Sequence, residues 1–125
     1  MAIYPLEPEP QASEDLFLRA LDAAPVGMIL TSADGRFVRV NRAFASLLGY
    51  EPEELVGRSY ADVTHPEDLD ASHRQHQRLE SGQSDSFQLV KRYVSKDGQT
   101  VWALMSVTGV RDADGRLRCG LASCT

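Results

Sequence analysis

Cysteine is scarce in this chain, with two residues in 125, and tryptophan scarcer, with one. Two thiols cannot support a disulfide scaffold. If Cys119 and Cys124 share one extended strand, their Cα atoms lie about 16 Å apart, well beyond the roughly 7 Å that a disulfide tolerates. Their odd spacing sends them to opposite faces, which predicts two free thiols and a reducing compartment. No apolar run approaches the roughly 20 residues needed to cross a bilayer. The opening MAIYPLEPEPQASED is acidic and proline-rich, unlike the basic start and apolar middle of a signal peptide, so the expected location is cytoplasmic. Basic runs are missing as well. Thirteen Lys and Arg against 18 Asp and Glu leave a net charge of −5, which argues against nucleic acid or an anionic membrane surface as partner.

No nucleophile elbow, phosphate loop or metalloprotease helix occurs, and catalysis by this segment is not expected. Asp112-Ala113-Asp114-Gly115 has the wrong spacing for a calcium loop and lacks its closing Glu.

What is present is a globular composition, 42% hydrophobic and 25% charged, in the length of one domain. Residues 1–12 are expected to form a disordered or extended arm. Ser13 is a suitable N-cap for a flanking helix over 13–24, with Glu14 and Asp15 in its first turn and Pro25 at its end. Leu16, Phe17, Ala20 and Leu21 form its apolar stripe, a face that must dock on something.

The remainder, 25–125, reads as the core. Val26–Thr31 and Phe37–Val40 are β-prone runs on either side of Asp34-Gly35, a hairpin signal. Asn41 is placed to cap a helix over 42–48, and Gly49 to end it. Pro52 opens a further turn, and His65-Pro66-Glu67-Asp68 starts a helix running to Ser81, stopped by Gly82. Three strand-like segments follow, FQLVKRYV, TVWALMSVTGV and RLRCGLASCT, separated by Asp97-Gly98 and Asp114-Gly115. The predicted class is α+β: an antiparallel sheet interrupted by a helical insertion. TVWALMSVTGV is apolar on both faces and needs cover on both. The insertion covers one. The N-terminal helix, or a partner's copy of it, covers the other, which points to a homodimer.

Residues 15–125 closely resemble a bacterial PAS sensory domain of the "sensory box" type. The resemblance is carried by the combination NRAF…LLGY…EELVG…HPED…KDG…W…DADGR. It implies a five-stranded antiparallel sheet in the order 2-1-5-4-3, with short helices enclosing a small pocket on one face. It also implies an N-terminal helix that packs outside or dimerises. Such a domain would sense a ligand, redox state, light or gas for a separate effector in cis, of histidine kinase or diguanylate cyclase type.

The same resemblance tests cofactors. Photoactive flavin members place a reactive cysteine where Gly57-Arg58-Ser59-Tyr60 has Tyr60, so flavin-adduct chemistry is not expected. Haem-binding members carry their axial histidine on the long helix, where His73 stands. Leu69, His73, His76 and Leu79 share helical spacing, so a haem-based gas or redox sensor using His73 is an alternative. No Cys or carboxylate cluster completes a metal site with the two histidines. The pocket is expected between the sheet and the helix 66–81, near Met28, Leu48, His73, His76, Leu89, Trp102 and Leu104. A ligand-free interaction module is the remaining alternative.

Overall fold

The computed structural model describes residues 10–125, with side chains from Glu14 onward. Of the arm expected over 1–12, residues 1–9 lie outside the described residues. Pro10 and its two successors are already helical, because helix α1 spans Pro10–Ala23. The earlier start follows from proline's fitness for the first helical position, where its missing N–H would have no partner anyway. Ser13 therefore lies inside the helix and does not cap it.

Strands β1 (Gly27–Ser32), β2 (Phe37–Val40), β3 (Ser86–Val94), β4 (Thr100–Arg111) and β5 (Leu117–Cys124) form one antiparallel sheet in the order β2-β1-β5-β4-β3. Helices α2 (Arg42–Leu48), α3 (Pro52–Leu55) and α4 (Leu69–Ser81), with two short 3₁₀ turns at Tyr60–Val63 and Pro66–Asp68, connect β2 to β3. This is the expected architecture, and the three Asp-Gly pairs are its three hairpin turns.

All three turns use one device. Ser32, Ser95 and Asp112 each accept, on the carbonyl, the N–H of the glycine three residues on (3.0, 2.9 and 3.0 Å). The side-chain oxygen of each also accepts the N–H four residues on, from Arg36, Gln99 and Arg116 at 3.1, 3.0 and 3.0 Å. Only the glycine of each turn takes a positive φ, between 82° and 86°, the left-handed step that glycine makes without steric cost.

The helices seal one face of the sheet. Ile29, Phe37, Phe44, Leu48, Leu55, Val63, Leu79, Met105, Val107 and Ala122 are buried there. Phe44 stands edge-on to Phe37 at 5.8 Å and to Tyr93 at 5.6 Å, in the T-shaped geometry that aromatic quadrupoles favour. Gly109 of β4 leaves room for the Leu79 side chain of α4. A Cβ there would sit 2.9 Å from Leu117 Cδ1 and 3.1 Å from Leu79 Cδ1.

The helical insertion is tied back to β3 by Arg92. Its guanidinium meets Asp68 through Nε (3.0 Å) and a terminal nitrogen (2.8 Å), and Glu67 at 2.8 Å. The Arg92 backbone N–H adds a third bond to Asp68 at 2.7 Å. Donation from Arg92 holds the Asp68 carboxyl down at about 2.

Asn41 joins three elements. Fully buried, it accepts the N–H of Met28 at 2.8 Å and of Phe44 at 3.0 Å on Oδ1. Its Nδ2 donates to the carbonyls of Leu21 at 2.8 Å and Val26 at 2.9 Å. One amide thus caps α2, holds the entry of β1 and pins the last turn of α1. Asp22 reinforces the joint by accepting the Arg42 N–H at 3.2 Å.

Beyond that joint α1 projects outward: Leu21 is buried, while Leu16 and Phe17 are 58% and 48% exposed. Among the described residues α1 does not cover the outer sheet face, where Val90 and Trp102 remain 62% and 64% exposed. The two-faced apolar character of β4 is therefore met by helices on one side only.

Candidate functional site

Strand β3 alternates Phe87, Leu89, Lys91 and Tyr93 toward the helices. The third of these places an ammonium group in the core, with Lys91 only 3% exposed. Its Nζ donates to Ser72 Oγ at 2.9 Å and to Thr64 Oγ1 at 3.1 Å. The Thr64 hydroxyl proton is directed elsewhere, to the Tyr60 carbonyl at 2.7 Å, which leaves its lone pairs for the lysine. Nζ also lies 4.7 Å from the Tyr93 ring centre and 5.3 Å from that of Tyr60, within reach of cation–π attraction. Among the described residues, no carboxylate pairs with Lys91. Burial pushes its pKa down to about 8.

Beside Lys91 is a cavity of about 20 Å³, with Thr31, Tyr60, His76, Met105 and Ala122 among its walls. Room of that size holds about one water-sized particle. The Tyr60 ring lies flat on His76, with centroids 4.0 Å apart and planes 14° off parallel, and Phe87 meets His76 edge-on at 5.4 Å. Burial, then the nearby Lys91, drives the His76 imidazole down to about 4, so it stacks in its neutral form. Tyr60 and His76 also line a second pocket of about 50 Å³ on the outside, with Asp34, Gly35, His73 and Glu80. The stacked pair is the partition between the two. Its position is set by the first hairpin: a Cβ on Gly35 would fall 2.7 Å from Tyr60 Cε1.

The residues expected around the pocket divide into three groups. His76 lines the inner cavity, and His73 lines only the outer pocket, where its Nδ1 meets the Tyr60 hydroxyl at 3.2 Å. Leu48 and Leu89 lie on the helix-covered side without bordering the cavity. Met28, Trp102 and Leu104 alternate with the inward residues Ile29, Ala103 and Met105 and so project from the opposite face. For these three the expected side of the sheet is corrected, since strand alternation fixes which residues pair on a face but not which face the helices take.

Helix α4 is likewise turned from its expected stripe. Ser72 and Leu79 are its buried residues and His73 is exposed, because the Lys91 ammonium draws the Ser72 hydroxyl inward. Lys91, Ser72, Thr64 and Thr31 went unpredicted. The available signal was a lysine occupying an apolar position in the alternation of β3.

A haem does not fit these residues. His73 is exposed and engaged by Tyr60, and the space beside the α4 histidines is about 20 Å³, against the several hundred Å³ of a typical cofactor pocket. Tyr60, standing where a flavin-reactive cysteine was sought, is a cavity wall. Among the described residues no three His, Cys, Asp or Glu side chains group as metal ligands, and no helix is long and apolar enough to cross a membrane. The Cys124 thiol is buried in the core, which pushes it up to about 11.

The comparisons agree with this geometry. Over 103 residues, 82% of this chain, it is 38% identical to the Escherichia coli protein named "Probable diguanylate cyclase DgcE", and over 97 residues it is 27% identical to the sensor histidine kinase TmoS of Ectopseudomonas mendocina. The chain spans only 9% and 10% of the lengths of these two relatives. The crystal structure of a PAS domain from Colwellia psychrerythraea superposes with a TM-score of 0.79 at 17% identity, covering 90% of this chain and 95% of that one. The family model of the PAS fold matches residues 15–124. The chain therefore belongs to the PAS family, a sensory module of signalling proteins whose relatives include cyclases and kinases.

Proposed function

We propose that this chain is the input domain of a larger cytoplasmic signalling protein, dimerising through α1 and the outer sheet face and relaying the state of its inner cavity to an effector in cis. The effector would be of diguanylate cyclase or histidine kinase type, the kinds named among its relatives. One observation carries the reading: α1 is fastened to the core at its last turn, by Asn41 and Asp22, while Leu16 and Phe17 farther along it stay exposed. Such a helix is free to pack against a second copy and to move with the joint. The uncovered patch of Val90, Trp102 and Leu104 offers that copy an apolar seat.

The test is light scattering on the 125-residue chain and on the Leu16→Glu/Phe17→Glu double variant. A dimer that becomes a monomer, with the thermal midpoint of the core retained, supports the reading. A chain monomeric at every concentration, or a double variant that stays dimeric, overturns it.

A further inference from the structure

We propose that the inner cavity binds a small monovalent anion of halide or formate size, held against the Lys91 ammonium and admitted when the Tyr60–His76 stack parts. The proposal rests on reading the domain as a sensor and gives that sensor a ligand class.

Three observations carry it. First, Lys91 has three donors, and the described residues provide hydrogen-bond acceptors for two, Thr64 and Ser72. Both are neutral hydroxyls. A buried ammonium without an anion is costly, and the π faces of Tyr93 and Tyr60 offset only part of that cost. An anion beside the third donor supplies the missing compensation. Second, Lys91 lines a cavity with room for one water-sized particle, and Thr31 is among its other walls. Size thus selects a halide or a one-carbon carboxylate over larger metabolites. Third, the partition of Tyr60 and His76 opens outward onto a pocket rimmed by Asp34 and Glu80. Those carboxylates repel a dianion more strongly than a monoanion, so charge selects in the same direction as size.

The surroundings make Lys91 the group whose charge decides. His76 on α4 is held neutral by burial, with its pKa near 4, and Cys124 on β5 is pushed to about 11. Tyr60 and Tyr93 are also raised by burial, and Asp68 is held by Arg92. The Lys91 pKa of about 8 leaves the group cationic at neutral pH. Anion affinity then falls as pH rises through 8, because the neutral amine no longer attracts the anion.

The experiment titrates sodium chloride and sodium formate into the 125-residue chain at pH 6.5, following the NMR signals of the His76 ring and the Met105 methyl. Sodium sulfate at matched ionic strength is the divalent control. The expected result is a saturable shift with chloride or formate, absent with sulfate. Lys91→Met should weaken the affinity on the order of tenfold to a hundredfold, the effect of one hydrogen bond to a charged group. Wild-type signals that never saturate, an equal response to sulfate, or a Lys91→Met chain that binds equally well overturns the proposal. If Lys91→Met does not fold, the wild-type titrations at pH 6.5 and pH 9 decide, and an affinity unchanged between them also overturns it. The readout lies in the cavity. Failure here leaves the α1 relay standing, and a monomer in the light-scattering test leaves this site standing.

Discussion

On the inner face of the sheet Ile29, Val107 and Ala122 are sealed beneath helices, whereas on the outer face Val90, Trp102 and Leu104 stand in solvent. The two faces come from the same strands, and β4 contributes apolar residues to both. The difference is that the inner face carries the polar exceptions. Lys91, Thr31, Thr64, Ser72 and Asn41 are all buried there, while the outer patch is apolar and joined by Arg92 stacked 5.0 Å over Trp102. A surface meant for burial in another chain has no need of an internal ion, but a cavity meant to recognise one does. Under the two proposals above, the inner face serves a small ligand and the outer face a second copy of the chain.

That contrast can be broken by substitution, most strongly on the inner side. Phe44→Ala removes the ring joining Phe37 to Tyr93 and should cost about 3–5 kcal/mol, read as a drop in the urea midpoint. Next comes acid. The pKa of His76 is lowered in the fold, so its contribution to stability is full above pH 6.5 and lost as pH falls toward 4, a loss of about 2–3 kcal/mol. Asp68, also lowered, loses its contribution between about pH 4 and pH 2. Denaturation at stepped pH should show both losses, with His76→Phe removing the first and Asp68→Asn the second.

Lys91→Met should act in the opposite direction and stabilise the anion-free chain by about 2 kcal/mol at pH 7, since it relieves a buried charge. The lysine pKa is lowered on folding, so the unfolded chain holds more protons above pH 8 and wild-type stability should rise from pH 8 to 9. Lys91→Met should lack that rise. Higher still, the raised Cys124 and tyrosines oppose it. The smallest effect belongs outside. Trp102→Ser should change monomer stability by about 0.5 kcal/mol or less while weakening self-association in sedimentation. A large monomer effect there would erase the distinction between the faces.

Much of the fold was legible because it rests on local chemistry. The strands alternate, Asn41 and Gly49 cap and end α2, and the Asp-Gly pairs mark the turns. Even the turn device is visible in retrospect, since Ser32-Ala33-Asp34-Gly35-Arg36, Ser95-Lys96-Asp97-Gly98-Gln99 and Asp112-Ala113-Asp114-Gly115-Arg116 all open on a side-chain oxygen. The site was less legible. Trp102 and Leu104 satisfy the alternation of an inner row as well as Ala103 and Met105 do, and nothing within β4 says which row meets the helices. The α4 face depended on Lys91 drawing Ser72 inward across 19 positions of sequence, a contact that helical periodicity cannot contain.

Asn41 has a mechanical consequence. Helix α1 is held at Leu21, close to its C-terminal end, which in the proposed relay would make it a lever on a pivot. The arm from Leu21 to Pro10 measures about 17 Å at 1.5 Å per residue. A rocking of about 10° at the amide would carry the far end through about 3 Å on that arm. Because the same Oδ1 accepts the N–H of Met28 in β1 and of Phe44 in α2, the proposed relay would carry a sub-ångström adjustment of sheet against helix through this amide and enlarge it along α1.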